Sequence, residues 1–155
     1  MEIIVSTVIA DIKRHLSAIG KRLYNKEGKN MFSDITLSSA EDKIITQYIN
    51  ASAQDIEAVL KQFISSSVYN GSSVVFNITN TRGDSDFDVR VKDLAEGYIT
   101  LNSVGEYLSM LHPDLAQKYQ NDAQQRMAAL TLYVIYKKPP TPSTASYDDI
   151  NGKIN

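Results

Sequence analysis

From Ile3 to Leu23 the apolar residues Ile4, Val5, Val8, Ile9, Ile12, Leu16, Ile19 and Leu23 recur at three- and four-residue steps, opposed by Asp11, Lys13, Arg14 and Lys21. That period is one stripe of an amphipathic helix. The polar run from Tyr24 to Asn30, with Gly28, ends it and leads into the loop MFSDITLSS. A second helix starts where Ser38 with Glu41, or Ser39 with Asp42, forms a reciprocal cap, hydroxyl to amide and acid back to amide. Ile45, Tyr48, Ile49, Ile56, Val59, Leu60, Phe63 and Ile64 then carry an apolar stripe to about Ser66. Further on, Leu94, Tyr98, Ile99, Leu101, Val104, Leu108 and Leu111 make a third stripe that stops near His112-Pro113. Proline disfavours helix in the residue before it and suits the first turn of a new one. The fourth helix therefore begins there and runs through Leu115, Ala116, Tyr119, Ala123, Met127, Leu130 and Val134 to Tyr136, with Lys137 and Lys138 at the negative end of its dipole.

Between the second and third stripes the period changes to two. Val74, Phe76 and Ile78 alternate with Val75, Asn77 and Thr79, and Phe87, Val89 and Val91 alternate with Asp86, Asp88 and Arg90, around the turn Thr81-Arg82-Gly83-Asp84-Ser85. The spacing predicts a β-hairpin over 73–92 with one apolar face. An isolated hairpin is marginal, so Phe76, Ile78, Phe87 and Val89 are expected to be covered by the chain's own helices or by another chain, with Arg82 at the exposed turn. The fold class is thus mainly α, a bundle of about four helices over 1–138 with an inserted hairpin, followed by an extended arm over 139–155. Pro139, Pro140 and Pro142 prevent helix continuation, and the remaining tail is too polar to fold alone. Tyr147 and Ile150 are its few apolar anchors. With Pro139 and Pro140 they complete the candidate interface, Asp148 and Asp149 standing at its rim.

Composition changes this picture little and narrows the chemistry. A length of 155 residues fits one domain able to bury about 70% of its unfolded surface. A net charge of −2 gives no electrostatic footprint for tight phosphate binding. There is no cysteine, which excludes disulfides and thiolate metal sites. The opening MEIIVSTVIADIKRH lacks the basic start of a signal peptide, and no run approaches the roughly 20 apolar residues of a membrane span. Arg82-Gly83-Asp84 matches an adhesion triplet, yet Gly and Asp are also what a tight turn selects. Asp84, Asp86 and Asp88 imitate the start of a calcium loop, but Val89 stands where its glycine belongs and Ala95 where its bidentate Glu belongs. His15 and His112 have no companions suited to a metal, no nucleophile elbow occurs, and Glu96 and Glu106 lie three helical turns apart, too far for one reacting centre. Asn50-Ala51-Ser52, Asn70-Gly71-Ser72 and Asn77-Ile78-Thr79 match the glycosylation pattern, which needs a secretion route. The reading is of a chain that is not an enzyme and takes no cofactor or metal.

The order of parts is the informative feature. A leading helix, the capped segment SSAEDKIITQYINASAQDIEAVLKQFI, a hairpin, the pairing of YLSMLHPDLAQKY with the helix end LYVIYKKPPTP, and a proline-rich tail together resemble head-to-tail connector proteins of tailed bacteriophages. The resemblance spans about Ser38 to Pro142. It is similar to adaptor or head-completion proteins from phages of gut Bacteroides-like hosts, including the crAss-like group. The resemblance implies a virion protein, made in the host cytoplasm, that joins copies of itself in a usually twelvefold ring between the portal protein and the tail or neck proteins. Genomic DNA passes through such a ring without sequence-specific contact, and mild acidity suits a channel in which phosphates must slide. The long first helix has no assigned place in it. A small regulatory or scaffolding module, binding one protein through the hairpin edge or the tail, is the alternative that the same residues support.

Overall fold

The computed structural model describes residues 1–24, 27–29, 31, 37 and 41–136. They form β1 (Glu2–Ile4), α1 (Val5–Arg22), α2 (Asp42–Val59), β2 (Ile64–Tyr69), β3 (Ser73–Ile78), α3 (Phe87–Ser109) and α4 (Pro113–Ile135). The fold is mainly helical, with a small antiparallel sheet of order β1-β3-β2. The predicted arm over 139–155, its residues Pro139, Pro140, Tyr147 and Ile150, the lysines 137 and 138, and the capping serines 38 and 39 lie outside the described residues.

The first helix begins later than its stripe suggests. Residues 2–4 are a strand because β3 offers an unpaired side: Ile3 sits opposite Val74 in the register and is fully buried, while Glu2 and Ile4 on either side of it are exposed. Val5, Val8, Ile12, Leu16 and Gly20 then form the buried face of α1. Gly28 takes a left-handed φ of 75°, in the polar run that was expected to follow this helix. On α2 the buried set is Ile45, Ile49, Ser52, Ala53 and Ile56. Lys13 of α1 pairs with Asp42 of α2 at 2.6 Å.

The inserted hairpin is present, but it spans 64–78 and not 73–92. Helix α2 stops at Val59 instead of continuing to Ser66, because Ser65-Ser66-Ser67 has little helix preference and Asn70-Gly71 supplies a turn. Asn70 Oδ1 accepts from the Ser72 and Ser73 amides at 3.1 and 2.7 Å, and Gly71 adopts φ 79°. The expected second strand, Phe87–Val91, is the opening of α3. Phe87, Val91 and Ala95 are spaced by four as well as fitting an alternation, and all three are buried on one helix face. Asp86 is the residue before this helix and not part of a strand's polar face. It accepts from Arg90, four residues on, at 2.7 Å, and that bond holds its carboxyl below the usual range.

Helix α3 packs against all three other helices, most extensively against α4. The turn into α4 is compact: the His112 amide donates to Leu108 O at 2.7 Å, and Pro113 opens the new helix. Small residues let the two helices approach. A side chain at Gly105 would meet Gln120 Cγ at 2.8 Å and Ala116 O at 3.4 Å, whereas one at Gly97 would meet only the flexible Arg126 side chain, at 3.6 Å. Polar ties cross the α2–α3 seam: Tyr98 donates to Asp55 and Tyr107 to Glu41, each at 3.0 Å, and Asn102 donates to the buried Ser52 hydroxyl, also at 3.0 Å. Tyr69 of β2 donates to Glu57 at 2.7 Å. Glu41, expected in a reciprocal cap with Ser38, which lies outside the described residues, accepts this bond from a tyrosine of another helix.

Two outcomes are expected from this packing. Gly105→Leu should overpack the α3–α4 contact and cost about 1–3 kcal/mol in denaturant unfolding, while Gly97→Ala should gain about 0.5–1 kcal/mol by helix preference. Equal effects at the two glycines would refute the close approach at Gly105. The second concerns alkali. Burial first, and then the bond to Glu41, push the Tyr107 hydroxyl from its ordinary 10.0 up to about 12. A raised pKa in the folded chain means that the stabilisation is fully present below 10 and is lost as pH rises through about 12. The melting temperature of Tyr107→Phe should therefore fall less than that of the parent across this window.

Candidate functional site

The Arg-Gly-Asp turn is built from within. Asn80 Oδ1 accepts from the amides of Arg82 and Gly83 at 3.1 and 2.8 Å, and Gly83 adopts a left-handed φ of 69°. Arg82 Nε donates to Asp84 Oδ2 at 2.9 Å, and the two side chains are only 21% and 14% exposed. The guanidinium lies 4.5 Å over the Tyr133 ring and donates to Tyr136 O at 3.2 Å, while Thr81 donates to Val134 O. The cation therefore sits at the carbonyl end of α4, where the helix dipole favours it. An adhesion ligand needs its Arg and Asp presented outward; here they hold one another and the end of a helix. Asp84 and Asp86 each accept from an arginine, so neither resembles an open calcium ligand.

The candidate interface residues are divided by the fold. Phe76 and Phe87 are interior residues of this chain: Phe76 packs edge-on against Tyr69, and Phe87 stacks on Tyr133 with ring centres 5.8 Å apart. The chain's own elements cover the hairpin's apolar face. Ile78 is half-buried against the same core, and Arg82 is engaged as above. Val89 is 69% exposed on the first turn of α3 and lines a cleft of about 420 Å³ with Arg90, Asp93, Leu94 and Tyr133.

Further apolar side chains are exposed at the end of α4. Leu132, Ile135 and Tyr136 at the end of α4 are 54%, 41% and 62% exposed, beyond the stripe formed by Ala123, Met127, Leu130 and Val134. These three residues were missed, although the run Leu132 to Tyr136 is apolar nearly all round the helix, more than one buried stripe can use. A second cleft, of about 290 Å³, lies between α1, α3 and α4 and is polar. Its lining includes Asp11, Arg14, His15, Glu96, Thr100 and Arg126. Arg14 is paired to Asp11 at 2.8 Å, His15 meets the Tyr119 ring edge-on, and burial pushes the Glu96 carboxyl up, with Lys92 at 3.7 Å opposing it. Thr100 is buried and Glu106 is engaged by Gln120 at 3.3 Å, so these groups form a solvated polar seam without an activated nucleophile among them. Comparison with protein-family models, curated proteins and solved structures finds no match.

Arg82→Ala removes the ring contact and the carbonyl partner together and should destabilise the chain by about 1–2 kcal/mol. Calcium should leave the melting temperature of the parent unchanged. A calcium-dependent rise, or an Arg82→Ala variant as stable as the parent, would refute this account of the turn.

Proposed function

We propose that this chain is a structural subunit of a tailed-bacteriophage particle, joining copies of itself in a ring at the head-to-tail junction, between the portal protein and the neck or tail proteins. In this reading it catalyses nothing, needs no cofactor, is made in the host cytoplasm and finishes in the virion. Genomic DNA crosses its ring without base-specific contact.

The observation that carries the proposal is the exposed apolar end of α4, with Val89 beside it. Leu132, Ile135, Tyr136 and Val89 are exposed and outside the buried core, and the first three closely precede the proline-rich segment in the sequence. Apolar surface grouped at one end of a helical hairpin suits a protein partner better than a small ligand. The order of parts gives further support, since a helical hairpin, an inserted β-hairpin and a polar C-terminal segment are what the resemblance to connector proteins implies.

The test is incorporation. Leu132→Asp combined with Ile135→Asp alters side chains that are already exposed, so the melting temperature should hold within about 1 kcal/mol of stability. Co-assembly with portal and neck proteins should be lost. Deletion of Thr141 to Asn155 should likewise spare stability and impair incorporation. If both variants enter particles as the parent does, this end of the molecule is not the assembly surface. Stoichiometric binding to one protein with no ring would favour the small regulatory module instead.

A further inference from the structure

We infer that a second copy of this chain adds its β1 to the open edge of β2, carrying the sheet from one subunit into the next. The contact rests on the self-assembly proposed above and names the surfaces that make it. In the order β1-β3-β2 only β3 is interior, so the sheet has two edges among the described residues.

Backbone directions fix what each edge offers. Phe76 of β3 turns both its groups toward β1, donating to Met1 O at 3.0 Å and accepting from the Met1 amino group at 2.9 Å. Its register partner across β2 is Ser67, whose N–H and C=O therefore point away from the sheet. At the other edge Val5 donates to Ser72 O at 3.0 Å, so Met1, Ile3 and Val5 face β3 while the Glu2 and Ile4 amides face outward. Both edge strands run antiparallel to β3 and hence parallel to each other. Two copies placed edge to edge in the same orientation bring β2 of one beside β1 of the other as a parallel pair.

The alternation on both strands, together with the exposed Ile4 and Val68, selects one register. Ser67 N–H donates to Glu2 O of the second copy, and Ile4 N–H of the second copy donates to Ser67 O. Ile3 of the second copy then lies opposite Ser67, and its Ile4 lies beside Val68. Ile4 and Val68 are 47% and 52% exposed, and both project from the sheet face opposite to Phe76 and Val74. The pairing covers two exposed branched side chains at once. Strand β2 also lacks the usual guards of a free edge, having no charged residue and no proline from Ile64 to Tyr69. Its bulge is confined to Ile64/Ser66, which leaves the stretch facing β1 regular. A cleft of about 390 Å³ lined by Glu57, Lys61 and Ile64 to Ser67 gives the incoming strand room.

The two surfaces differ, so the contact is head to tail, and repetition closes a ring or extends a fibre. Two hydrogen bonds and one apolar pair bind weakly alone. Ring closure makes the last contact intramolecular and raises its effective concentration.

Engineered thiols test this cleanly, because the chain has no cysteine. Within one chain Ile4 and Val68 are separated by β3, about 10 Å, beyond disulfide reach, whereas adjacent strands bring paired positions within it. Oxidised Ile4→Cys/Val68→Cys should give a ladder of covalent oligomers on a non-reducing gel. A mixture of the two single variants should stop at the mixed dimer, and Ser67→Pro should suppress both products several-fold with the circular dichroism unchanged. Val68→Cys that dimerises alone as readily as the mixture would overturn the proposal in favour of a two-fold β2–β2 contact. Oligomers in native mass spectra without the crosslink would overturn this contact and leave self-assembly standing. Absence of both would overturn the two together.

Discussion

Burial of α3 among the three other helices is the constraint on which the remaining structure depends. The helix presents Phe87, Val91, Ala95, Tyr98, Ile99, Val104 and Leu108 to the interior, together with the small residues Thr100, Ser103 and Gly105. Its apolar groups serve the core, and its small ones let α4 lie close enough to exclude water. Everything else is placed relative to it. Helices α1, α2 and α4 all pack against it, and the sheet closes the core through Ile3, Val74 and Phe76. Such a helix has no wide polar face, and its only generous exposure is at its ends.

That arrangement explains what could be read from the sequence. Helices α1, α2 and α4 each bury one stripe at three- and four-residue steps, so their existence and most of their buried residues were legible, while Ile4 and Val59 of those stripes are exposed. The start of α4 was legible too, because proline has few places to go. The errors fell where two periods coincide. Phe87 and Val91 satisfy a strand and a helix equally well, and only the packing of Val91 and Ala95 beside Phe87 decides between them. Ile3 to Val5 is likewise compatible with both, and the unpaired side of β3 decides it. The Asn70-Gly71 turn was a local signal of the true hairpin, overshadowed by a second turn signal, Arg82-Gly83-Asp84, that serves a different purpose.

The candidate surface was legible only in part. Val89 emerged from an incorrect strand assignment yet is exposed. Phe76 and Phe87 were placed together on a hairpin's apolar face; Phe76 is on that face and Phe87 on a helix, and this chain buries both by itself. Leu132, Ile135 and Tyr136 escaped because a periodic stripe draws attention to the residues that fit it, and these are the apolar residues that do not. The two Tyr-to-carboxylate ties across α2 and α3 join residues 43 and 66 positions apart, and no local pattern announces a pairing at that separation.

The clamp at the end of α4 has a mechanical consequence. A helix attached to its neighbour along one side is easily peeled from its free end, because tension then breaks one contact at a time. Here Arg82 and Thr81 grip the carbonyls of Tyr136 and Val134, so tension on the chain beyond Tyr136 passes directly into the loop that joins the sheet to α3. Sheet and central helix share the strain from the outset. Unzipping becomes shearing, in which many contacts must fail together.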